Sequence, residues 1–168
     1  MKRFLVSVCL VALVFALSAG ALAVPKNVTY ETTRQFLQYC DDNGIKYTFA
    51  GIDDDNQERV TVGYNLTNTS VDVVFIFDED QETGAMRTWN LIEFDPARQA
   101  EVSSAVDAAN RGYRWVRFFV DTSDNTVTCA ADLYFGKGDV GETCGYLLDR
   151  MVNICDFVYD ESLGQLKK

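Results

Sequence analysis

The spacing of apolar positions changes several times along the chain, and each change marks the edge of an element. Between Thr29 and Asp42, residues Thr33, Phe36, Leu37 and Cys40 fall on one helical stripe, and Asn43-Gly44 supplies a stop. "IKYTFAGI" then reads as a strand and "DDDNQE" as a turn. In "RVTVGYNL", Val60, Val62 and Tyr64 alternate with polar or small partners, the period of a half-buried strand. After the turn "TNTS", "VDVVFIFD" is apolar on both faces beyond Asp72, which predicts a strand central in its sheet. "EDQETG" turns the chain again, and "MRTWNLIEF" gives a fourth strand.

Asp95-Pro96 opens a second helix, with a capping carboxylate followed by Pro at the first helical position. Val102, Ala105, Val106 and Ala109 form its small-residue stripe, and Asn110-Arg111-Gly112 ends it. "RWVRFFVDTSDNTVTCAADLYF", from Arg114 to Phe135, reads as two strands around a polar turn. The longest helix runs from Asp139 to about Glu161 and carries Cys144, Leu147, Leu148, Met151, Val152, Cys155 and Val158 on one broad apolar face. Residues 24–28 and the closing "SLGQLKK" are expected to be loose ends.

The resulting order is α-ββββ-α-ββ-α. Connections of hairpin length require antiparallel pairing, so the expected class is α+β: an antiparallel sheet of about six strands with three helices, the helices covering one face. The sequence has no internal repeat, low-complexity tract or interdomain linker.

The N-terminus changes the picture of where this fold works. Lys2 and Arg3 precede an apolar run from Phe4 to Leu17, Ser18-Ala19-Gly20 breaks it, and Ala21-Leu22-Ala23 offers a small-x-small cleavage site. Residues 1–23 therefore read as a secretory signal peptide, with a retained membrane anchor as the alternative. Residues 24–168 form one domain by length, secreted or held in the periplasm or cell envelope, with no second apolar span. The net charge of −10 becomes more negative once the two basic residues are cut away. A chain this acidic repels nucleic acid and anionic membranes as partners. The sequence has no His, which removes the commonest general base, the Ser-His and Cys-His pairs and the usual metal ligand. We therefore expect no enzyme, no catalytic residue and no cofactor or metal, although carboxylate chemistry stays open.

Four cysteines follow the cleavage site: Cys40, Cys129, Cys144 and Cys155. Their even number in an exported chain makes them disulfide candidates. Cys144 and Cys155 lie on one helix, roughly 16 Å apart by helical rise, too far for a bond that needs Cα atoms within about 7 Å. That leaves Cys40–Cys155 with Cys129–Cys144, or Cys40–Cys144 with Cys129–Cys155. Four buried free thiols on core faces are the alternative. A site holding zinc with all four is disfavoured, because its ligands usually come in closely spaced pairs. "GIDDDNQE" and "FDEDQETG" concentrate carboxylates, but Gly84 is misplaced for an EF-hand and no terminal bidentate Glu follows, so these are solvated turns.

The hairpin at 114–135 raises the sharpest question. Val116, Phe118, Val120, Val127, Cys129, Ala131 and Leu133 make an ordinary core face. The opposite set holds Trp115, Arg117, Phe119, Asp132 and Tyr134, and Trp89, with Arg87 and Leu91, continues it from the fourth strand. Aromatics with Arg are the residues enriched at protein interfaces. This face is expected to bind another protein or a second copy of the chain, unless the tail or a longer helix covers it as core.

With its decoration, the element order resembles the YbjN family, whose fold is that of type III secretion chaperones. The matching stretches are "FLQYCDDNGIKYTF", "SAVDAANRGYRWVRFFVDTSDNTVTCAADL" and "LLDRMVNICDFVYDESL", together spanning roughly residues 30–163. Asn110 fits the second of two Asn positions in the family's middle helix, while Val106-Asp107 occupies the region of the first. The resemblance implies a small binding domain, chaperone-like or regulatory, and supplies no catalytic residues. A small apolar-ligand carrier, with a pocket lined by Phe118, Leu148 and Met151, and a carboxylate-dependent envelope enzyme are the alternatives. The glycosylation acceptors at Asn27, Asn65 and Asn68 are expected to stay bare, since the resemblance is to a mainly bacterial family.

Overall fold

The computed structural model describes residues 24–136 and 138–168, so the expected signal segment lies outside it. The elements are α1 (Glu31–Asp42), β1 (Thr48–Ile52), β2 (Glu58–Asn65), β3 (Ser70–Phe77), β4 (Thr83–Glu93), a 3-10 turn at Pro96–Arg98, α2 (Gln99–Gly112), β5 (Arg117–Asp121), β6 (Thr126–Tyr134), α3 (Val140–Glu161) and a final 3-10 turn at Leu163–Leu166. The strands form one six-stranded sheet in the order β1-β2-β3-β4-β6-β5, with every neighbouring pair antiparallel. This is the α+β fold expected from the sequence, with β3 lying between β2 and β4 as its two-sided apolar pattern requires.

Alternation along the strands decides which side of the sheet is dry. Val60, Val62, Val73, Phe75, Phe77, Met86, Val127 and Cys129 point to one side and are fully buried. The apolar stripes of α1 and α3 close over them: the Phe36 ring packs 4.1 Å from that of Phe75 and 5.8 Å from that of Phe77. α1 and α3 approach closely where Gly141 and Gly145 pass beneath Tyr39. A Cβ on Gly141 would lie 2.8 Å from the Tyr39 Cβ, and one on Gly145 would fall inside the Tyr39 ring. Phe118, Leu148 and Met151, which the carrier alternative sets around a pocket, are buried in this shared core.

The stretch before α1 and the closing stretch after α3 are both tied down, contrary to expectation. Helix α1 has no cap of its own, since its N-cap residue, Tyr30, makes no side-chain capping bond. The fully buried carboxylate of Glu58 supplies acceptors from β2 instead, taking the backbone N–H of Thr29 at 2.7 Å and of Tyr30 at 3.2 Å. Val28 and Tyr30 are thereby drawn into the core. At the other end Leu163 is fully buried, and Lys167 pairs with Phe94 in an isolated bridge.

The acidic turns share one device. Asp53 accepts from the N–H groups of Asp55 and Gln57, Asp80 from those of Glu82 and Thr83, and Asp121 from that of Ser123. Asn56, Gln81 and Asn125 take the left-handed backbone conformation in the same three turns. These hydrogen bonds, led for Asp121 by the one from the Ser123 hydroxyl at 2.6 Å, hold all three carboxyls below the usual aspartate range. Asp53 and Asp80, from the two carboxylate-rich stretches, thus shape turns, as expected from the sequence.

The cysteines follow the thiol reading. Cys40, Cys129, Cys144 and Cys155 are all buried and free, and no two stand at disulfide distance, so neither expected pairing is formed. Burial pushes the Cys40 thiol up to about 12. Among the described residues, no helix is long and apolar enough to cross a membrane.

Candidate binding face on the outer sheet surface

The side of the sheet away from the helices is uneven because of which residues its register aligns. Ala130 of β6 pairs with Arg87 of β4 on one side and with Arg117 of β5 on the other. One step along, Thr128 of β6 pairs with Phe119 of β5. On β4 the register shifts between Thr88 and Ile92, leaving Trp89 outward. Small residues on the middle strand thus lie between large ones on both neighbours, and a trough runs along β6. Its volume is about 600 Å³, and Trp115 and Arg114 extend it at the β5 end.

The aromatic walls are open to solvent. Trp89 is 45% exposed, Trp115 55% and Phe119 53%, so among the described residues neither the tail nor a helix covers the face. The expected contribution of Leu91 is not found: the register shift returns it to the core. Of the residues singled out in the sequence, Trp89, Trp115, Arg117, Phe119 and Asp132 line the one trough. Tyr134 stands on the same face but beyond the trough.

Backbone carbonyls hold both sheet arginines in place, and Arg87 is also paired with a carboxylate. Arg87 donates from Nη1 to the carbonyls of Met86 and Ala131, at 2.9 and 2.8 Å, and from Nη2 to Asp132 at 2.8 Å. Arg117 donates from Nη1 to the carbonyls of Tyr113 and Val116, at 2.8 and 3.0 Å. Arg150, from α3, donates to the Tyr146 hydroxyl at 2.6 Å. Its guanidinium lies 4.9 Å from the Tyr146 ring and 5.9 Å from the Trp115 ring. Among the described residues, Arg114, Arg117 and Arg150 have no carboxylate partner. Sequence reasoning found the sheet-borne members but missed Arg114, Arg150 and Tyr146. The last two join from a helix, and only tertiary packing sets them beside Trp115.

One edge of this face is sealed at Phe118. β5 is an edge strand, and the Asn110 side chain from α2 occupies its free side. Asn110 Nδ2 donates to the Phe118 carbonyl at 2.9 Å, and the Phe118 N–H donates to Asn110 Oδ1 at 2.8 Å.

A small α+β domain with an exposed aromatic and arginine face is the class these features define. Residues 33–163 match the model of the YbjN family, described as "Putative bacterial sensory transduction regulator", and the chain belongs to that family. The crystal structure of YbjN from E. coli, called "a putative transcription regulator", superposes with a TM-score of 0.53 at 17% identity, covering 79% of this chain and 89% of that one. The ExsC–ExsE complex contains a chain that superposes with a TM-score of 0.55 at 12% identity, covering 80% of this chain and 97% of that one. The fold is thus the type III secretion chaperone-like one that the resemblance implied. A search of curated protein sequences returns no match.

Proposed function

We propose that this protein is an exported, non-catalytic binding domain that acts by holding another protein, or a second copy of itself, on the outer face of its sheet. The observation that carries this reading is the grouping of Trp89, Trp115 and Phe119, all about half exposed, with Arg114 and Arg117, which have no carboxylate partner among the described residues. Exposed aromatics in one contiguous patch are costly in a monomer and mark interaction surfaces. The family match and the chaperone-like fold support a binding or regulatory role over an enzymatic one. Export rests on the signal-like sequence of residues 1–23.

The test is affinity capture from the envelope and secreted fractions of the producing cell, using residues 24–168 as bait. A Trp115→Ser, Phe119→Ser double variant should keep its thermal midpoint within a few degrees and lose the captured partner. Retention of the same partner by the folded double variant would defeat the proposal. If the variant unfolds, the face is core instead.

A further inference from the structure

The trough has a repeat that selects its occupant. Arg117 and Phe119 on β5, opposite Ala130 and Thr128 of β6, lie two residues apart, a spacing of roughly 6.7 Å; Arg87 pairs with Ala130 across the trough, and Trp89 follows it on β4 where the register shifts. An extended guest chain projects alternate side chains with that same period. The walls stand on β4 and β5, two strand spacings or about 9.5 Å apart, which leaves one extended chain's width over the small residues of β6.

The charge of the trough is equally specific. The chain carries a net charge of −10, yet four arginines gather at this face. Its two carboxylates are already engaged, Asp132 by Arg87 and Asp121 by Ser123. Backbone carbonyls fix Arg87 and Arg117 through Nη1; Arg87 is also paired with Asp132 through Nη2, whereas the Arg117 fork is ordered and has no carboxylate partner among the described residues. A guanidinium fork fixed in this way matches a carboxylate in two-point geometry.

We propose that the trough binds an extended acidic segment of a partner protein. A carboxylate seats on Arg117 beside the Arg87–Asp132 pair, and an apolar or aromatic side chain two residues along seats between Trp89 and Phe119. This rests on the face being a protein site and adds the chemistry of what it takes. A second copy is a poor occupant, because a two-fold dimer through this face sets the arginine cluster near its own copy. Nucleic acid is disfavoured by the acidity of the rest of the molecule.

Both tryptophans of the chain line this trough, so intrinsic fluorescence reports on it directly. The probe is the peptide acetyl-Ser-Glu-Ser-Phe-Ser-Glu-Ser-Phe-Ser-amide, which has no Trp or Tyr, titrated into residues 24–168, which carry the whole described fold. The expected result is a saturable emission shift that weakens with added salt. Affinity should fall by about tenfold or more when Glu is replaced by Lys in the peptide, and similarly in an Arg117→Glu protein of unchanged thermal midpoint. Equal binding of the Lys peptide, or indifference to Arg117→Glu, overturns the proposal. So does an emission change produced only by a single-stranded oligonucleotide, or only by self-association seen in light scattering. If the peptide fails while photo-crosslinking from position 119 still yields a partner adduct, the acidic specificity is wrong and the protein-binding reading survives.

Discussion

Asn110 and Phe118 bond each other in both directions: the amide donates to the Phe118 carbonyl at 2.9 Å and accepts from the Phe118 N–H at 2.8 Å. An edge strand normally offers such groups to any passing chain. Here a helix side chain takes them. Asn110→Ala should cost about 1–3 kcal/mol, because it leaves a donor and an acceptor unmade at a partly buried site. Denaturant unfolding measures the loss. Hydrogen exchange at the Phe118 amide should quicken beyond what the global loss explains, and unchanged protection there would remove the edge-sealing role.

Gly145 is set by contact rather than by backbone conformation. Adding a methyl group drives into the Tyr39 ring, an overpacking that costs about 1–3 kcal/mol. The same change improves helix propensity by about 1 kcal/mol. Gly145→Ala should therefore destabilise the protein, yet stabilise a Tyr39→Ala background where the ring is gone. A double-mutant cycle by thermal unfolding checks the reversal of sign, and the same sign in both backgrounds would contradict the packing.

Much of this architecture was legible in the chain because each element states its own period. The two-sided apolar run of β3 announced a central strand, and Asp95-Pro96 announced a helix start. The ends were misjudged because their anchors are remote in sequence. Glu58 caps α1 from β2, across 28 residues to Tyr30, and no local pattern near Val24 or Tyr30 records it. Leu91 was misplaced for a related reason: a register shift changes which face a residue joins, and alternation assumes no shift. The binding face was half legible. Alternation put Trp115, Arg117 and Phe119 on one side, whereas Arg150 reaches Trp115 only because α3 crosses there.

The turn carboxylates predict an acid limb. Asp53, Asp80 and Asp121 sit below the ordinary aspartate range because backbone N–H groups, and the Ser123 hydroxyl for Asp121, bond their ionised forms. Groups depressed in the folded state contribute stability above their unfolded value of about 3.9 and lose it as pH falls through the folded value. The thermal midpoint should hold steady from about pH 7 to 5 and drop below about 4. The triple change Asp53→Ala, Asp80→Ala, Asp121→Ala should lower the midpoint at neutral pH and flatten that drop. A drop of unchanged steepness would place the acid sensitivity elsewhere.

The thiols make a count that is easily read. Cys40, Cys129, Cys144 and Cys155 are buried, and burial pushes Cys40 up to about 12. A hydrogen bond with the Cys155 side chain, and then burial, raise Cys129, and burial raises Cys144. In residues 24–168 a disulfide-exchange reagent at pH 8 should find no reactive thiol in the native state and four after denaturation. Fewer than four would mean that bonds absent from this structure form in the purified protein.

The central claim is that the outer sheet face, and not merely any exposed aromatic, holds a protein. Phe119 on β5 and Phe157 on the solvent side of α3 are matched for the purpose, at 53% and 52% exposure. A photoreactive phenylalanine analogue placed at each position in turn, and irradiated in the producing cells, compares the two surfaces directly. The account predicts a discrete protein adduct from position 119 and none from position 157. Adducts of equal yield from both positions, or from position 157 alone, would contradict it.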